Sequence, residues 1–267
     1  MQSRKTILVT GSASGIGGAV KDRMLSLGHR VIGVDIRPTE GLGSDSCVAD
    51  VTDSAAISEL CERLCSEGVT LDVIVNAAGV HAMCSLVEGD IERMKRLIDV
   101  NLIGTMTVNR LLYPRLAEGG RIVIVTSEVA PLDPMPFNGL YNVSKTALDC
   151  YAQALRQELS LLGQSVVTVR PGAVETPLAR SSLDATAALA NETVLFERQA
   201  GRFLEITKRF MGTPISPERL AKVVERAALA RHPRLIYSKH RSPGLLLLSV
   251  LPKRAQCRII KWILGGK

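Results

Sequence analysis

Residues 6–17 read Thr6-Ile7-Leu8-Val9-Thr10-Gly11-Ser12-Ala13-Ser14-Gly15-Ile16-Gly17, and they are the strongest local indication of the fold. Its apolar first half predicts a buried β-strand, and residues 16–27 have the apolar spacing of an amphipathic helix. A glycine-rich turn between a strand and a helix allows a tight bend and brings backbone N–H groups close to a phosphate. The stretch therefore predicts the opening strand, turn and helix of an α/β domain that can bind an anion.

The rest of the chain repeats this alternation of strand and helix. The pattern predicts strands at 6–10, 30–35, 71–76, 121–127 and 165–170, with a weaker one at 234–237. The helices are predicted at 16–27, 54–67, 89–113, 140–162 and 217–230. Near-continuous apolar strands that alternate with helices indicate a parallel sheet covered on both faces. We predict one α/β domain over residues 1–267, with a Rossmann-type doubly wound parallel sheet in a three-layer α/β/α sandwich.

Composition supports a globular domain with an aliphatic core, because 46% of the residues are apolar and only 3% are aromatic. Six cysteines are scattered without a Cys-x-x-Cys pair, and the Cys61/Cys65 spacing has no matching His or Cys cluster, so no metal site is expected. The apolar run after Lys5 is too short for a secretory signal. We therefore expect a cytoplasmic protein.

Two segments break the strand–helix rhythm. Residues 178–214 are polar and Ala-rich and follow the last strand-end motif, so they are interpreted as a helical substrate lid, with a surface insertion as the alternative. Residues 243–267 form a basic amphipathic tail. The chain carries a net charge of +7, and residues 226–267 hold ten Lys or Arg and no Asp or Glu.

The tail has three open interpretations. Arg254, Arg258 and Lys261 recur at helical spacing, beside apolar residues and the single Trp. They could lie on an anionic membrane surface, cover a hydrophobic pocket or subunit interface, or form the solvated face of an ordinary packing helix. Nucleic acid is not expected as a partner, because a basic cluster confined to one tail lacks interleaved aromatic residues.

Tyr141 and Lys145 are spaced so that they share one face of a helix. A free Tyr titrates near pH ~10, and a neighbouring ammonium favours the phenolate and lowers that pKa. Ser127 ends a strongly apolar strand, at the carboxyl edge where open α/β sheets bind ligands. Its hydroxyl could orient a substrate oxygen while Tyr141 exchanges the proton. Thr126 is the rival hydroxyl, but its side chain should point to the opposite face.

Asp35 ends the second predicted strand, eighteen residues after Gly17. A carboxylate there can accept hydrogen bonds from the adenosine ribose and repels a 2′-phosphate. Arg37 is the nearby cation that would favour the phosphorylated cofactor. The sequence therefore predicts NAD, with NADP as the alternative.

Taken in order, these motifs resemble the classical branch of the short-chain dehydrogenase/reductase family over about residues 5–240. The resemblance implies a catalytic set of Asn101, Ser127, Tyr141 and Lys145, in which Asn101 holds a water of the proton relay and Lys145 also binds the nicotinamide ribose. Ser127 precedes Tyr141 by fourteen residues, one more than is usual in the family. The cofactor-binding residues that it implies are Gly11, Ser14, Gly15, Ile16, Gly17, Asp35, Asp50, Val51, Asn76, Ala77, Ala78, Gly79, Tyr141, Lys145, Pro171, Gly172, Val174 and Thr176, with no metal.

The activity implied by this resemblance is NAD-dependent interconversion of a secondary alcohol and a ketone. The approach to Tyr141 is similar to that of steroid- and retinol-type members, which favours a bulky hydrophobic, steroid-, retinoid- or lipid-like substrate. An NADPH-dependent carbonyl or 3-oxoacyl reductase is the alternative enzyme, and a catalytically idle cofactor-sensing or scaffold protein is the alternative of another class. Family habit implies a homodimer or homotetramer.

Overall fold

The computed structural model describes residues 3–210, 214–240 and 242–265. Seven parallel strands form one sheet in the order β3-β2-β1-β4-β5-β6-β7. The strands are β1 (Thr6–Thr10), β2 (Arg30–Asp35), β3 (Ser46–Val48), β4 (Leu71–Asn76), β5 (Leu116–Val125), β6 (Ser165–Pro171) and β7 (Ile236–Lys239). The predicted doubly wound parallel sheet is confirmed.

Helices cover both faces of this sheet. They are α1 (Gly15–Ser26), α2 (Ser54–Ser66), α3 (Ile91–Ile98), α4 (Gly104–Leu112), α5 (Gly139–Ser160), α6 (Pro177–Glu192), α7 (Glu197–Phe210), α8 (Pro217–Leu229), α9 (Pro243–Ser249) and α10 (Lys253–Gly265). The helix-rich region after β6 supplies α6 to α10, interrupted only by the short strand β7.

Alternation along the strands creates the three layers. Leu8, Ile32 and Ile74 face one apolar cluster, whereas their neighbours Ile7 and Val73 face the other. Because successive side chains of a strand point to opposite faces, each strand contributes to both cores. The central strands are therefore apolar at nearly every position, as the sequence predicted.

Apart from shifts of one or two residues at the ends of helices and of β6, the structure differs from the sequence prediction in four elements. The segment predicted as one helix at 89–113 contains a π-helical turn at Asp99–Ile103 between α3 and α4. The strand β3 was missed, because a three-residue edge strand is too short to show a pattern. The strand predicted at 121–127 begins earlier and ends at Val125, and β7 lies two residues beyond its predicted place.

The predicted lid consists of α6 and α7, except that residues 211–213 lie outside the described residues. The predicted tail consists of α9 and α10, with residues 266–267 likewise outside them. A third apolar cluster joins these two regions through Phe137, Phe203 and Leu264. Among the described residues, no helix combines the length and apolar character needed to cross a membrane.

Candidate active site

The carboxyl ends of the central strands lie side by side. In the sheet register Thr10 aligns with Asn76, and Asn76 aligns with Ile124. The chain continues from β1 toward one edge of the sheet and from β4 toward the other, and such a switch point opens a crevice for a ligand. The glycine turn, the loop after β4 and the end of β5 therefore meet in one place.

The glycine turn has the shape that a pyrophosphate site requires. Gly11 and Gly15 have left-handed backbones, with φ of 70° and 55°. A Cβ at Gly17 would lie 2.2 Å from the carbonyl oxygen of Gly11, so no larger residue fits there. Ser14 precedes α1 without capping it through its side chain, and the first turn of α1, which includes Ile16, carries no acidic residue. The N–H groups of this turn are thus suited to a phosphate.

Asp35 is held rigidly beside this turn. Its two carboxylate oxygens accept hydrogen bonds from the backbone N–H groups of Ala13 (3.0 Å) and Arg37 (3.1 Å). The Arg37 guanidinium in turn donates to the Ser14 hydroxyl at 2.9 Å. A cleft of about 520 Å³ lies here, lined by Ser14, Gly15, Lys21 and Arg37 among others. The region beside the glycine turn therefore presents both a carboxylate and a cation.

The loop after β4 is fixed by polar contacts. The Thr10 hydroxyl accepts hydrogen bonds from the N–H groups of Ala77 and Ala78, both at 3.1 Å. The side-chain amide of Asn76 donates to the side-chain oxygen of Asn109 at 2.7 Å. The side-chain oxygen of Asn76 is buried and has no hydrogen-bond partner among the described residues. The predicted residues Asn76, Ala77 and Ala78 thus lie directly against the glycine turn, since a Cβ on Gly11 would touch Ala78.

Asp50 and Val51 follow β3, which ends at Val48. The Asp50 carboxylate accepts hydrogen bonds from Thr52 and, at 2.5 Å, from Arg96. Val51 is buried against Gly104, where a Cβ would lie 2.6 Å from a Val51 methyl group. Both residues lie on the loop that leaves β3, and their contact with a cofactor stays a prediction.

Asn101 lies in the π-helical turn and is fully buried. Its side-chain oxygen accepts from the Val80 N–H at 2.8 Å, and its amide donates to the Val80 carbonyl (2.9 Å) and the Ser144 hydroxyl (3.1 Å). The side chain therefore ties the loop after β4 to α5. Its part in a water relay stays a prediction.

Ser127, Tyr141 and Lys145 converge at the end of β5. Helix α5 places Tyr141 and Lys145 one turn apart, and Lys145 Nζ lies 5.8 Å from the centroid of the Tyr141 ring. The Ser127 hydroxyl forms a hydrogen bond with the Tyr141 side chain. Lys145 also lies close to Gly79, because a Cβ there would be 3.5 Å from its Nζ. The three predicted groups are brought together.

The rival hydroxyl of Thr126 points elsewhere. It lies 3.4 Å from an Asp149 carboxylate oxygen and 3.5 Å from the Val169 carbonyl, on the other side of the chain. Residues 128–138, between Ser127 and α5, form turns and irregular loop. This geometry favours Ser127 over Thr126.

The protonation states of this cluster differ from the sequence prediction. Burial raises the pKa of Tyr141 to about 12, and the hydrogen bond with Ser127 acts weakly in the opposite direction. Burial lowers the pKa of Lys145 to about 8. The prediction of a phenol that ionises near neutral pH is therefore wrong for the chain by itself, because desolvation dominates. Tyr141 is a protonated phenol at pH 7, which can donate to a carbonyl oxygen.

Residues 171–176 close the crevice from the β6 side. Thr176 caps α6 by accepting a hydrogen bond from the Ala179 N–H at 3.2 Å, and a Cβ on Gly15 would lie 3.5 Å from it. Val174 is buried and bridges to Ile215. The N–H of Gly172 is already bonded to the Lys239 carbonyl at 2.8 Å. The N–H of Gly172 is thus used in a hydrogen bond to β7.

Gly172 also has a purely structural reason to be glycine. A Cβ at this position would lie 1.7 Å from the carbonyl oxygen of His240. Pro171, the preceding residue, aligns with Lys239 in the register of β6 and β7. The Pro-Gly motif therefore allows close packing of the chain after β7, in addition to any contact with a cofactor.

His81 was missed by the sequence analysis. Its ring lies against the ring of Tyr141, with centroids 4.3 Å apart, and its Nε2 is 3.0 Å from the Asn138 side-chain oxygen. Burial lowers the pKa of His81 to about 4, so the ring is neutral at pH 7. The signal available in the sequence was its position, two residues after Gly79, but no spacing rule connects that position with Tyr141.

A larger cleft lies on the Tyr141 side. Its volume is about 980 Å³, and its lining comprises the loop after β4, parts of α3 and one face of α6. Met83, Leu97, Leu140 and Leu189 provide apolar walls, while the charged residues include Glu88, Arg93 and Glu192. Helix α6 of the predicted lid thus forms one wall of a cleft that adjoins His81.

Glu88 ties this cleft to the segment between α6 and α7. Its carboxylate accepts hydrogen bonds from the Thr193 hydroxyl at 2.5 Å and from the N–H groups of Val194 and Leu195. These bonds hold the lid against the loop after β4, and they lower the pKa of Glu88.

Comparison with known proteins gives a consistent result. The family model described as short chain dehydrogenase matches residues 5–187. An uncharacterized oxidoreductase of Staphylococcus saprophyticus is 30% identical over 187 residues, which cover 65% of this chain and 80% of that protein. A 3-ketodihydrosphingosine reductase of Bacteroides thetaiotaomicron is 30% identical over 173 residues, 64% of each chain.

Among solved structures, a short chain dehydrogenase family protein from Francisella tularensis is 25% identical with a TM-score of 0.71. The match covers 88% of this chain and 97% of that one. The likeness therefore extends over most of the length of both chains.

Proposed function

The chain belongs to the short-chain dehydrogenase family of NAD(P)-dependent oxidoreductases, and on that premise we propose that it interconverts a secondary alcohol and a ketone on a bulky hydrophobic substrate, with NAD as the cofactor. The observation that carries this proposal is the convergence of Ser127, Tyr141 and Lys145 beside the glycine turn. A nicotinamide dinucleotide held at that turn would supply the hydride donor or acceptor.

Each residue has a defined task in this proposal. Ser127 donates a hydrogen bond to the carbonyl or hydroxyl oxygen of the substrate and orients it. Tyr141, protonated at neutral pH, donates its proton to the oxygen during reduction and takes it back during oxidation. The ammonium of Lys145 stabilises the phenolate that this transfer leaves behind. Asn101 keeps the loop that carries Val80 and His81 in place.

NAD is the proposed cofactor because of Asp35. Its carboxylate is fixed by two backbone N–H groups and still has lone pairs for the ribose hydroxyls. A 2′-phosphate there would meet that negative charge. Arg37 favours the runner-up, an NADPH-dependent carbonyl or 3-oxoacyl reductase, because its guanidinium lies at the same edge of the site.

The proposed substrate is lipid-, steroid- or retinoid-like. The cleft of about 980 Å³ is at the upper end of the range for ligand pockets, and aliphatic side chains form much of its wall. The relative from Bacteroides is named 3-ketodihydrosphingosine reductase, and this name supports a lipid-like substrate class. The lining also has six charged residues, which suit a substrate with a polar end: Glu88, Asp90, Glu92, Arg93, Arg96 and Glu192.

We also propose that the chain assembles as a homodimer or homotetramer through α4 and α5. Apolar surface is exposed at Met106 of α4 (37%), at Val143 of α5 (52%) and at Ile103 (45%), which ends the π-helical turn before α4. Light scattering coupled to size-exclusion chromatography tests this, and a monomer at micromolar concentration would contradict it.

The activity is tested by NAD(H)-dependent turnover on long-chain 3-keto amines, steroid alcohols and retinoids, with short polyols as the contrasting class. We expect turnover with the bulky apolar members, and a higher kcat/KM with NADH than with NADPH. Preference for polyols would overturn the substrate class. Tight NADH binding without turnover on any member would support the idle-member alternative.

A further inference from the structure

The outward face of α10 is a cluster of exposed cations. We call Arg254, Arg258 and Lys261 the basic face; all three are exposed. In the described part of the chain, Lys253 pairs with Asp133, but the three cations of the basic face have no ion-pair partner. Since residues 226–267 contain no Asp or Glu, the tail has no side-chain carboxylate to neutralise them.

Exposed apolar side chains lie in the same C-terminal region. Trp262, next to Lys261, is 74% exposed, and Leu247 and Val250 of the α9 region are 69% and 76% exposed. Tryptophan has an amphipathic ring that prefers the boundary between lipid headgroups and acyl chains. A solvated packing helix gains nothing from exposing these groups.

The opposite face of α10 is anchored to the domain. Leu264 is buried in the cluster with Phe137 and Phe203, and Ile260 packs against it. The buried Gln256 side chain donates to Asp133 at 2.6 Å and to the Leu251 carbonyl at 2.8 Å. The helix is therefore already seated on the lid region, and the basic face points outward rather than over the cleft.

We propose that α9 and α10 form a docking surface for an anionic phospholipid bilayer, with the basic face against the headgroups and Trp262 at the interface. Charge complementarity selects this occupant, and the exposed apolar residues favour a lipid surface over nucleic acid or an acidic protein. Met83 and Leu189 belong both to the cluster beneath α10 and to the wall of the larger cleft. The docking surface and that cleft thus share one lobe of the molecule.

The single tryptophan makes the surface directly measurable. The full chain is mixed with vesicles of phosphatidylglycerol and phosphatidylcholine, or of phosphatidylcholine alone, and Trp262 emission is recorded beside co-sedimentation. We expect binding and a blue shift only with the anionic vesicles. Both should be lost in about 1 M salt, where the Debye length is about 3 Å.

A matched pair of triple variants locates the effect. Arg254→Gln, Arg258→Gln and Lys261→Gln together should weaken partitioning about 10²-fold, since each cation near an anionic surface contributes about 1 kcal/mol. Arg219→Gln, Lys222→Gln and Arg226→Gln remove the same charge from exposed positions of α8 and should have a much smaller effect.

Three results would overturn the proposal: no binding to anionic vesicles, equal loss in both triple variants, or binding without a change in Trp262 emission. Tyr141→Phe should bind vesicles as the wild type does. Vesicle binding therefore tests the docking surface independently of the proposed activity.

Discussion

The ring of His81 lies against the ring of Tyr141, with centroids 4.3 Å apart and planes tilted by 53°. The imidazole is held there by its contact with Asn138, the residue that precedes α5. Because both nitrogens are buried enough to keep the ring neutral, His81 acts on Tyr141 as an uncharged wall. It thereby contributes to the burial that raises the pKa of the phenol.

We expect His81→Ala to admit water to this side of Tyr141 and to bring the pKa of Tyr141 down from about 12 toward the ordinary value near ~10. The alkaline limb of the kcat/KM profile for ketone reduction should move to lower pH, because the proton donor is lost earlier. Misplacement of the phenol should also reduce kcat, by up to the order of 10²-fold. His81→Phe keeps a ring in place and should keep the wild-type limb. An unchanged limb in His81→Ala would contradict this positioning role.

Removing the Tyr141 hydroxyl should abolish proton transfer while the ring still packs on His81. Tyr141→Phe is expected to lose about 10²–10⁴-fold in kcat, the range for a general acid–base, with the NADH affinity measured by fluorescence titration unchanged.

Ser127→Ala should also lower kcat, because it removes the hydroxyl that forms a hydrogen bond with Tyr141. Thr126→Val is the control, since its hydroxyl points to Asp149 and Val169. Equal losses in Ser127→Ala and Thr126→Val would refute the assignment of Ser127.

Asp35 should set the cofactor preference through its charge. Asp35→Asn retains a side-chain oxygen for a backbone N–H but removes the repulsion of a 2′-phosphate. We expect the ratio of NADPH to NADH affinity to rise roughly 10-fold, which corresponds to about 1–2 kcal/mol. Arg37→Ala tests the opposing contribution and should lower NADPH affinity. Wild-type preference for NADPH, lost in Arg37→Ala, would establish the runner-up cofactor.

We expect the buried Lys145 to lower the free energy of unfolding, although the proposed reaction needs its ammonium group. Its pKa is lowered from 10.5 to about 8 by burial, and this shift corresponds to about 3 kcal/mol. The unfolded chain therefore binds this proton more tightly, so the stability of the wild type declines as pH falls from about 10.5 to about 8.

Lys145→Met should accordingly raise the free energy of unfolding by about 1–3 kcal/mol at pH 7, and by less at alkaline pH, while abolishing turnover. Chemical denaturation at the two pH values measures this difference. Lys95→Met, at an exposed position, should change stability by less than about 0.5 kcal/mol. If Lys145→Met is less stable than the wild type, the prediction is wrong. The folded chain then stabilises the Lys145 ammonium by more than its long hydrogen bond of 3.5 Å to the Val125 carbonyl indicates.

Much of the fold was predictable because its signals are local. Apolar strands such as Leu71–Asn76, and the turn through Gly11 and Gly17, can be recognised from a few consecutive residues. The failures came where local signals are weak. The π turn at Asp99–Ile103 leaves a helix-like pattern on both sides, and β3 is too short to carry a period of its own.

The parallel α/β architecture, the order of the motifs and the choice of Tyr141 and Lys145 could be predicted from the sequence, since they depend on side-chain type and spacing along the chain. The surroundings of these residues could not, because they depend on contacts between distant segments. The contact of His81 with Tyr141 joins residues 60 positions apart in separate elements, and the packing of Leu264 on Phe203 joins the tail to the lid. The pKa of Tyr141 likewise depends on tertiary structure. Burial raises it, and burial depends on every element packed around the phenol rather than on the spacing of Tyr141 and Lys145 in the sequence.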